Sequence, residues 1–187
     1  MRIKTFEEYE NAYNQSIEDP EGFWAEVAQQ FVWRKPWKKV LNWDFNTATT
    51  KWFEGGELNI TENALDRHLI DKADQAAIIW EPNDPSDKAV TITYRVLYDQ
   101  VCRFANVLKK QGVQKGDRVC IYLPMVPELS VAVLACARIG AIHSVIFGGF
   151  SAKSIADRII DSACKVVITS DGAYRGAKVI AMKDMVE

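Results

Sequence analysis

The sequence predicts an α/β fold: a mostly parallel sheet with flanking helices, preceded by an irregular Trp-rich N-terminal extension. Three observations predict it. From about residue 63, short apolar stretches alternate with helix-length amphipathic ones, the pattern of a parallel sheet with crossover helices. One stretch, residues 141–147 (AIHSVIF), is almost wholly apolar, as expected of a strand buried on both faces. Five of the six tryptophans (Trp24, Trp33, Trp37, Trp43 and Trp52) fall before residue 60, where no long periodic element follows Gln30. The expected organisation is an extension over residues 1–60 and the first part of a larger domain over residues 61–187.

The elements follow in chain order. Thr5 and Glu8 fit a capping box that opens a short helix. Asp19-Pro20 fits an N-cap followed by proline at the first helical position. Pro36, a Thr-rich turn (Thr47, Thr49, Thr50) and Gly55-Gly56 then read as chain wrapping over another surface, anchored by aromatic side chains. Asn63 is expected to cap a helix with Leu65 and Leu69 on one face. Residues 76–80 (AAIIW) and 89–94 (AVTITY) read as strands joined by a turn or hairpin connection rich in breakers. Leu97, Val101, Phe104, Ala105 and Leu108 form the stripe of an amphipathic helix that Gly112 ends. Residues 119–123 are a strand, Pro127 begins a helix ended by Gly140, and residues 141–147 are a strand. Ser151 caps a helix ending near Asp161, and residues 165–169 are a strand. The last residues, VIAMKDMVE, read as a helix that stops without a cap, so the chain is expected to be a fragment of a longer protein.

Composition narrows the function classes. Hydrophobic residues make up 48% and charged residues 26%, ordinary for a globular protein. A net charge of −2 supplies no global field for nucleic acid or anionic membrane, so neither is an expected partner. The N-terminus has no apolar h-region, and apolar stretches are interrupted well short of a membrane span, which points to a cytoplasmic protein. Cys102, Cys120, Cys136 and Cys164 form no C-x-x-C pair and read as buried free thiols. His68 and His143 lie far from them in sequence, so no metal site is expected. No Walker A, G-x-G-x-x-G, H-E-x-x-H or G-x-S-x-G motif is present.

Two loops leave strands at the edge where open α/β sheets bind ligands. Gly148-Gly149 admits either a close backbone approach to an anion or a tight strand-to-helix turn. Arg175 and Lys178 flank the small residues Gly176 and Ala177. Arginine can grip a phosphate with a two-point fork and lysine adds a point charge, so the segment suits a phosphate-bearing ligand; a solvated surface loop is the other reading. His143, inside an apolar strand, reads as a core histidine. Asp66-Arg67-His68 reads as a surface or interdomain contact, and Pro124 and Pro127 as a rigid turn.

ALDRHL (residues 64–69), GDRVCIYLPMVPELSVAVLACARIGAIHSVIFGGFS (116–151) and RIID (158–161) together resemble the N-terminal third of the AMP-forming acetyl-coenzyme A synthetases, in the adenylate-forming superfamily. FWAEVA (23–28) and the Trp-rich region resemble that family's N-terminal extension. The resemblance implies an acetate–CoA ligase working in two steps. Acetate attacks the α-phosphate of ATP to give acetyl-AMP and pyrophosphate, with Mg²⁺ assisting. The CoA thiol then attacks the acyl carbon and releases AMP, and a C-terminal domain swings between the steps. It implies that Arg175, Gly176, Ala177 and Lys178 match a basic segment contacting CoA phosphates, with lysine at 178 where the family has arginine, and that Gly148 and Gly149 border the CoA site. No catalytic residue is implied within residues 1–187. The family's phosphate loop, acyl pocket, adenine and ribose motifs and mobile domain are not in this sequence. The chain alone is therefore expected to be inactive, and its partners are acetate, ATP, CoA and the remainder of its own chain. A propionyl-CoA synthetase fragment, or a stand-alone CoA- or nucleotide-binding or interaction module, are the alternatives.

Overall fold

Side-chain oxygens start the first two helices. In the computed structural model, which describes residues 3–187, Thr5 accepts from the Glu8 N–H while the Glu8 carboxylate accepts from the Thr5 N–H, completing the capping box of α1 (Phe6–Glu18). Asp19 ends α1 and caps α2 (Pro20–Ala28) by accepting from Gly22 N–H at 3.0 Å. The chain divides into two compact units, Met1–Asn63 and Ala64–Glu187.

The first unit is more regular than its sequence suggests. β1 (Lys39–Asp44) and β2 (Thr49–Glu54) pair antiparallel. Thr49 and Thr50, expected in a turn, lie in β2 because the turn closes over Phe45–Ala48, where Asp44 accepts from Asn46 N–H and Ala48 adopts a left-handed φ of 51°. The tryptophans pack on one another. Trp33, Trp37 and Phe53 form a triangle of ring contacts at 5.0–5.4 Å, and Trp24 meets Trp52 edge-on at 6.1 Å. Trp43 stands apart at 61% exposure. Asn63 does not cap a helix. It lies in α3 (Ile60–Ala64), buried, its amide carbonyl accepting from Val32 N–H at 2.7 Å and its amide nitrogen donating to Val32 O. A short 3-10 turn, Asp66–His68, follows in the second unit in place of the continuous helix expected there.

In the second unit, β3 (Ala76–Trp80) and β4 (Val90–Thr93) form an antiparallel ladder. Thr93 caps α4 (Tyr94–Lys110), which buries Leu97, Val101, Ala105 and Leu108, the predicted stripe. Three parallel strands follow: β5 (Arg118–Tyr122), β6 (Ile142–Ile146) and β7 (Val166–Thr169), in the order β6-β5-β7. The connecting helices are α5 (Pro127–Ile139), ended by left-handed Gly140 at φ 74°, and α6 (Ala152–Ser162), capped by Ser151.

β5 is the only strand of the three with neighbours on both sides, and its alternation builds two cores. Val119 and Ile121 join α4 and α5 on one face. Cys120 and Tyr122 join Ile155 of α6 and Met182 on the other. The sheet is therefore covered by helices on both faces, as predicted.

The prediction for residues 141–147 needs correction. Among the described residues β6 is an edge strand, so Ile142 is 54% and Val145 48% exposed, and within the predicted stretch Ala141 and Ile146 are buried. His143 is exposed rather than a core histidine. The thiols also divide: Cys120 and Cys136 are buried, while Cys102 and Cys164 are only partly covered. Asp66 makes a contact within its own unit, accepting from the Arg138 guanidinium of α5 at 2.6 Å.

The chain after β7 is likewise not a loop and a helix. β8 (Gly172–Arg175) and β9 (Lys178–Ala181) form an antiparallel hairpin, and α7 (Met182–Val186) starts only after it.

Candidate functional site

Parallel strands end at one edge of a sheet. The helix after β5 lies on one face and the helix after β6 on the other, which makes the ends of these two strands a topological switch point, the place where open α/β sheets bind ligands. Gly148 and Gly149 leave β6 at this edge. Neither has a positive φ, so backbone handedness does not require glycine at either position; a Cβ would fit at Gly148 and be crowded at Gly149. A Cβ on Gly149 would lie 3.0 Å from the Phe147 ring and 3.7 Å from Arg175 Nη1. The two loops singled out from sequence thus meet: the Arg175 guanidinium lies beside Gly149, where a side chain would begin.

The loop is held from below. Tyr122, fully buried at the end of β5, donates to Gly148 O at 3.2 Å. Burial raises the pKa of its phenol. The Met182 side chain supports Gly148 from the same core, its methyl 3.6 Å from where a Gly148 Cβ would lie. Neither residue was singled out from sequence. Their signal is parity along β5 and the position of Met182 after β9, and the second requires knowing that β9 exists.

The basic segment is a hairpin tip. Arg175 and Lys178 are register partners, and Gly176-Ala177 is the two-residue turn between them, with Gly176 at φ 60°. Such turns need positive φ, which glycine supplies without a Cβ clash. Directly paired residues of an antiparallel ladder project to the same face. Ala173 and Ile180, the pair two residues further from the tip, point into the core beneath the Gly-Gly loop, so Arg175 and Lys178 share that side. Both are exposed, and neither makes an ion pair among the described residues. Two cations directly opposite one another destabilise a ladder, and an anion between them removes that penalty. Glycine backbone, fork and ammonium together make an anion-accepting surface.

A cleft of about 660 Å³ lies on the other side of the hairpin, lined by Trp80, Pro124, Met125 and Tyr174 with Glu81, Asp84 and Asp87. Trp80 Nε1 donates to Met125 O at 2.8 Å and ties the β3 end to the β5–α5 turn. Among the described residues, no group of three or more His, Cys, Asp and Glu is placed to hold a metal ion.

Residues 65–186 match the family model described as AMP-binding enzyme. The chain belongs to the AMP-binding enzyme family. Residues 9–64 match a second model, acetyl-coenzyme A synthetase N-terminus, so the two matches together cover both compact units. Among curated AMP-binding relatives, the acetyl-coenzyme A synthetase of Saccharophagus degradans is 57% identical over 95% of this chain and 27% of its own length. That of Syntrophobacter fumaroxidans is 56% identical over 97% of the chain, and acetyl-coenzyme A synthetase 2 of Pseudomonas putida 52% over 98%, each over 28% of its own length. The chain thus spans well under a third of the length of these relatives. The AMP-binding match includes both the Gly148-Gly149 loop and the basic hairpin. Among the described residues, no helix is long and apolar enough to cross a membrane.

Proposed function

We propose that this chain supplies the coenzyme A edge of an AMP-forming acetate–CoA ligase. The observation that supports it most is the meeting of Gly149 and Arg175 at the carboxyl edge of the sheet, with Lys178 directly opposite Arg175. Arg175 and Lys178 bind phosphate groups of CoA, and Gly148, Gly149, Gly176 and Ala177 leave room for the ligand to lie against the backbone. Residues 1–60 are the extension and residues 61–187 the first part of the adenylation domain.

The relatives' names favour acetate as substrate; the propionyl alternative is not favoured. ATP and Mg²⁺ serve the first step in a full-length enzyme. The residues present here do not fit a Mg²⁺ site, having neither a metal-binding cluster among those described nor the Thr/Ser/Gly-rich phosphate loop. This chain's contribution is to hold CoA by its phosphates, and it has no ligase activity alone. Its setting is cytoplasmic, with small molecules and the remainder of its own protein as partners.

The test is steady-state kinetics of a full-length enzyme containing this chain. Arg175→Ala raises KM for CoA by about tenfold or more, as loss of a charge-assisted contact predicts, and leaves acetate-dependent ATP–pyrophosphate exchange unchanged. Lys178→Arg, which supplies a second fork, lowers KM for CoA. An unchanged KM in Arg175→Ala removes the hairpin from the site, and acetyl-adenylate formation by the 187-residue chain overturns its inactivity.

A further inference from the structure

The basic hairpin has little to hold it up. Its strands are four residues each, and an isolated two-stranded hairpin is marginal in water. The base is anchored, because Ala173 and Ile180 pack into the core. The tip is exposed and sets Arg175 opposite Lys178, which works against pairing. Among the described residues, one polar contact reaches the tip from elsewhere in the fold: Asn83 Nδ2 donates to Gly176 O at 3.2 Å across 93 residues of sequence.

Asn83 lies in the β3–β4 connection, which is itself a braced turn. Asp84 Oδ1 accepts from Ser86 N–H at 2.9 Å and from the Ser86 hydroxyl at 2.7 Å, and Asp84 O accepts from Asp87 N–H at 3.1 Å. The side-chain and then the backbone hydrogen bond from Ser86 hold the Asp84 carboxyl below its ordinary pKa. This connection forms one wall of the cleft and the hairpin the other. A self-braced turn therefore delivers one amide donor to the carbonyl between the two basic residues.

We propose that Asn83 is a positioning residue for the basic hairpin, holding the Gly176 turn so that Arg175 and Lys178 stay paired toward the Gly148-Gly149 loop. This rests on the reading of that hairpin as a CoA phosphate grip. Asn83 acts through Gly176.

Two measurements separate the proposal from the reading beneath it. The first is limited trypsin digestion of the 187-residue chain, following cleavage after Arg175 and Lys178 by mass spectrometry. Asn83→Ala, and the nearly isosteric Asn83→Asp that lacks the donor, should each speed cleavage at these two sites by about two- to fivefold, the worth of one modest hydrogen bond, with other sites unchanged. The second is KM for CoA in a full-length enzyme containing the chain, expected to rise by a similar factor in both variants with ATP–pyrophosphate exchange unaltered. Hairpin cleavage that does not change in either variant overturns the proposal, even where Arg175→Ala raises KM. Faster cleavage with no KM change in Asn83→Ala and none in Arg175→Ala overturns the phosphate reading, and with it the positioning role toward CoA.

Discussion

The Tyr122 hydroxyl donates to the carbonyl oxygen of Gly148 at 3.2 Å, so a fully buried phenol at the end of the central strand fixes the backbone of the loop that closes the edge strand. Rigid support from a core strand is how a site made of backbone keeps its shape. Tyr122→Phe removes one donor and little volume. It should cost about 1–2 kcal/mol in urea unfolding of the chain and speed amide exchange at Gly149 and Phe150.

Gly149 keeps a gap open between Phe147 and Arg175. Adding a methyl group in Gly149→Ala drives a carbon to within 3.0 Å of the Phe147 ring and 3.7 Å of Arg175 Nη1. Phe147 is 69% exposed and able to swing away, so stability should change by less than about 1 kcal/mol. The effect should fall on the ligand: in a full-length enzyme, KM for CoA rises while pyrophosphate exchange is retained. Unchanged CoA kinetics would show that the ligand does not approach the backbone here.

How much of this was legible in the sequence depended on where each signal came from. The stripe Leu97, Val101, Ala105, Leu108 and the caps Thr5, Asp19 and Ser151 are local, and they predicted their helices well. The strand of residues 142–146 was legible, but its burial was not, because an apolar run reports what a strand can bury and not how many neighbours it has. The β3–β4 pair is legible as two strands about a breaker-rich connection, whereas the β1–β2 and β8–β9 hairpins are not. Thr49 and Thr50 carry the β-branched signal of a strand, yet beside Thr47 they resembled a turn. Arg175 and Lys178 were identified as a pair for their charge, whereas their register depends on Ala173 and Ile180 reaching a core built by residues far away in sequence. The Asn83–Gly176 contact spans 93 residues and leaves no pattern at either end.

Thiol chemistry should follow burial. Burial pushes the Cys120 and Cys136 thiols up to about 11, from an ordinary value of 9.0. In the native chain at pH 8, iodoacetamide should modify Cys102 and Cys164 well before these two. The same shifts predict an alkaline limit. The unfolded chain releases these protons first, so between about pH 9 and pH 11 the native state holds more of them and stability falls as pH rises. Below pH 9 their contribution is fully present. Urea titrations across this range should show the decline, and Cys136→Ala should make it shallower.

The Asp66–Arg138 pair joins the 3-10 turn to α5, with side-chain exposures of 32% and 20%. Arg138 also lies over the Tyr98 ring at 4.9 Å. Asp66→Asn keeps the shape and removes the charge, and should lower stability by about 1–2 kcal/mol, more than an exposed pair is worth. Arg138→Lys should also lower stability, because an ammonium cannot both make the fork and lie flat on the ring. Chemical denaturation of the two variants checks both statements.

The division of β5 between two cores makes counting matter more than composition along this strand. Swapping Val119 for isoleucine, or Ile121 for valine, alters volume on one face and leaves the other alone. Inserting a single residue between them moves every later side chain to the opposite face. Tyr122 would then point toward α4 and α5, and the hydroxyl under Gly148 would be replaced by an aliphatic group. The strand accepts spelling changes but not a change of frame, and the cost of the wrong frame would be felt first at the loop that meets Arg175.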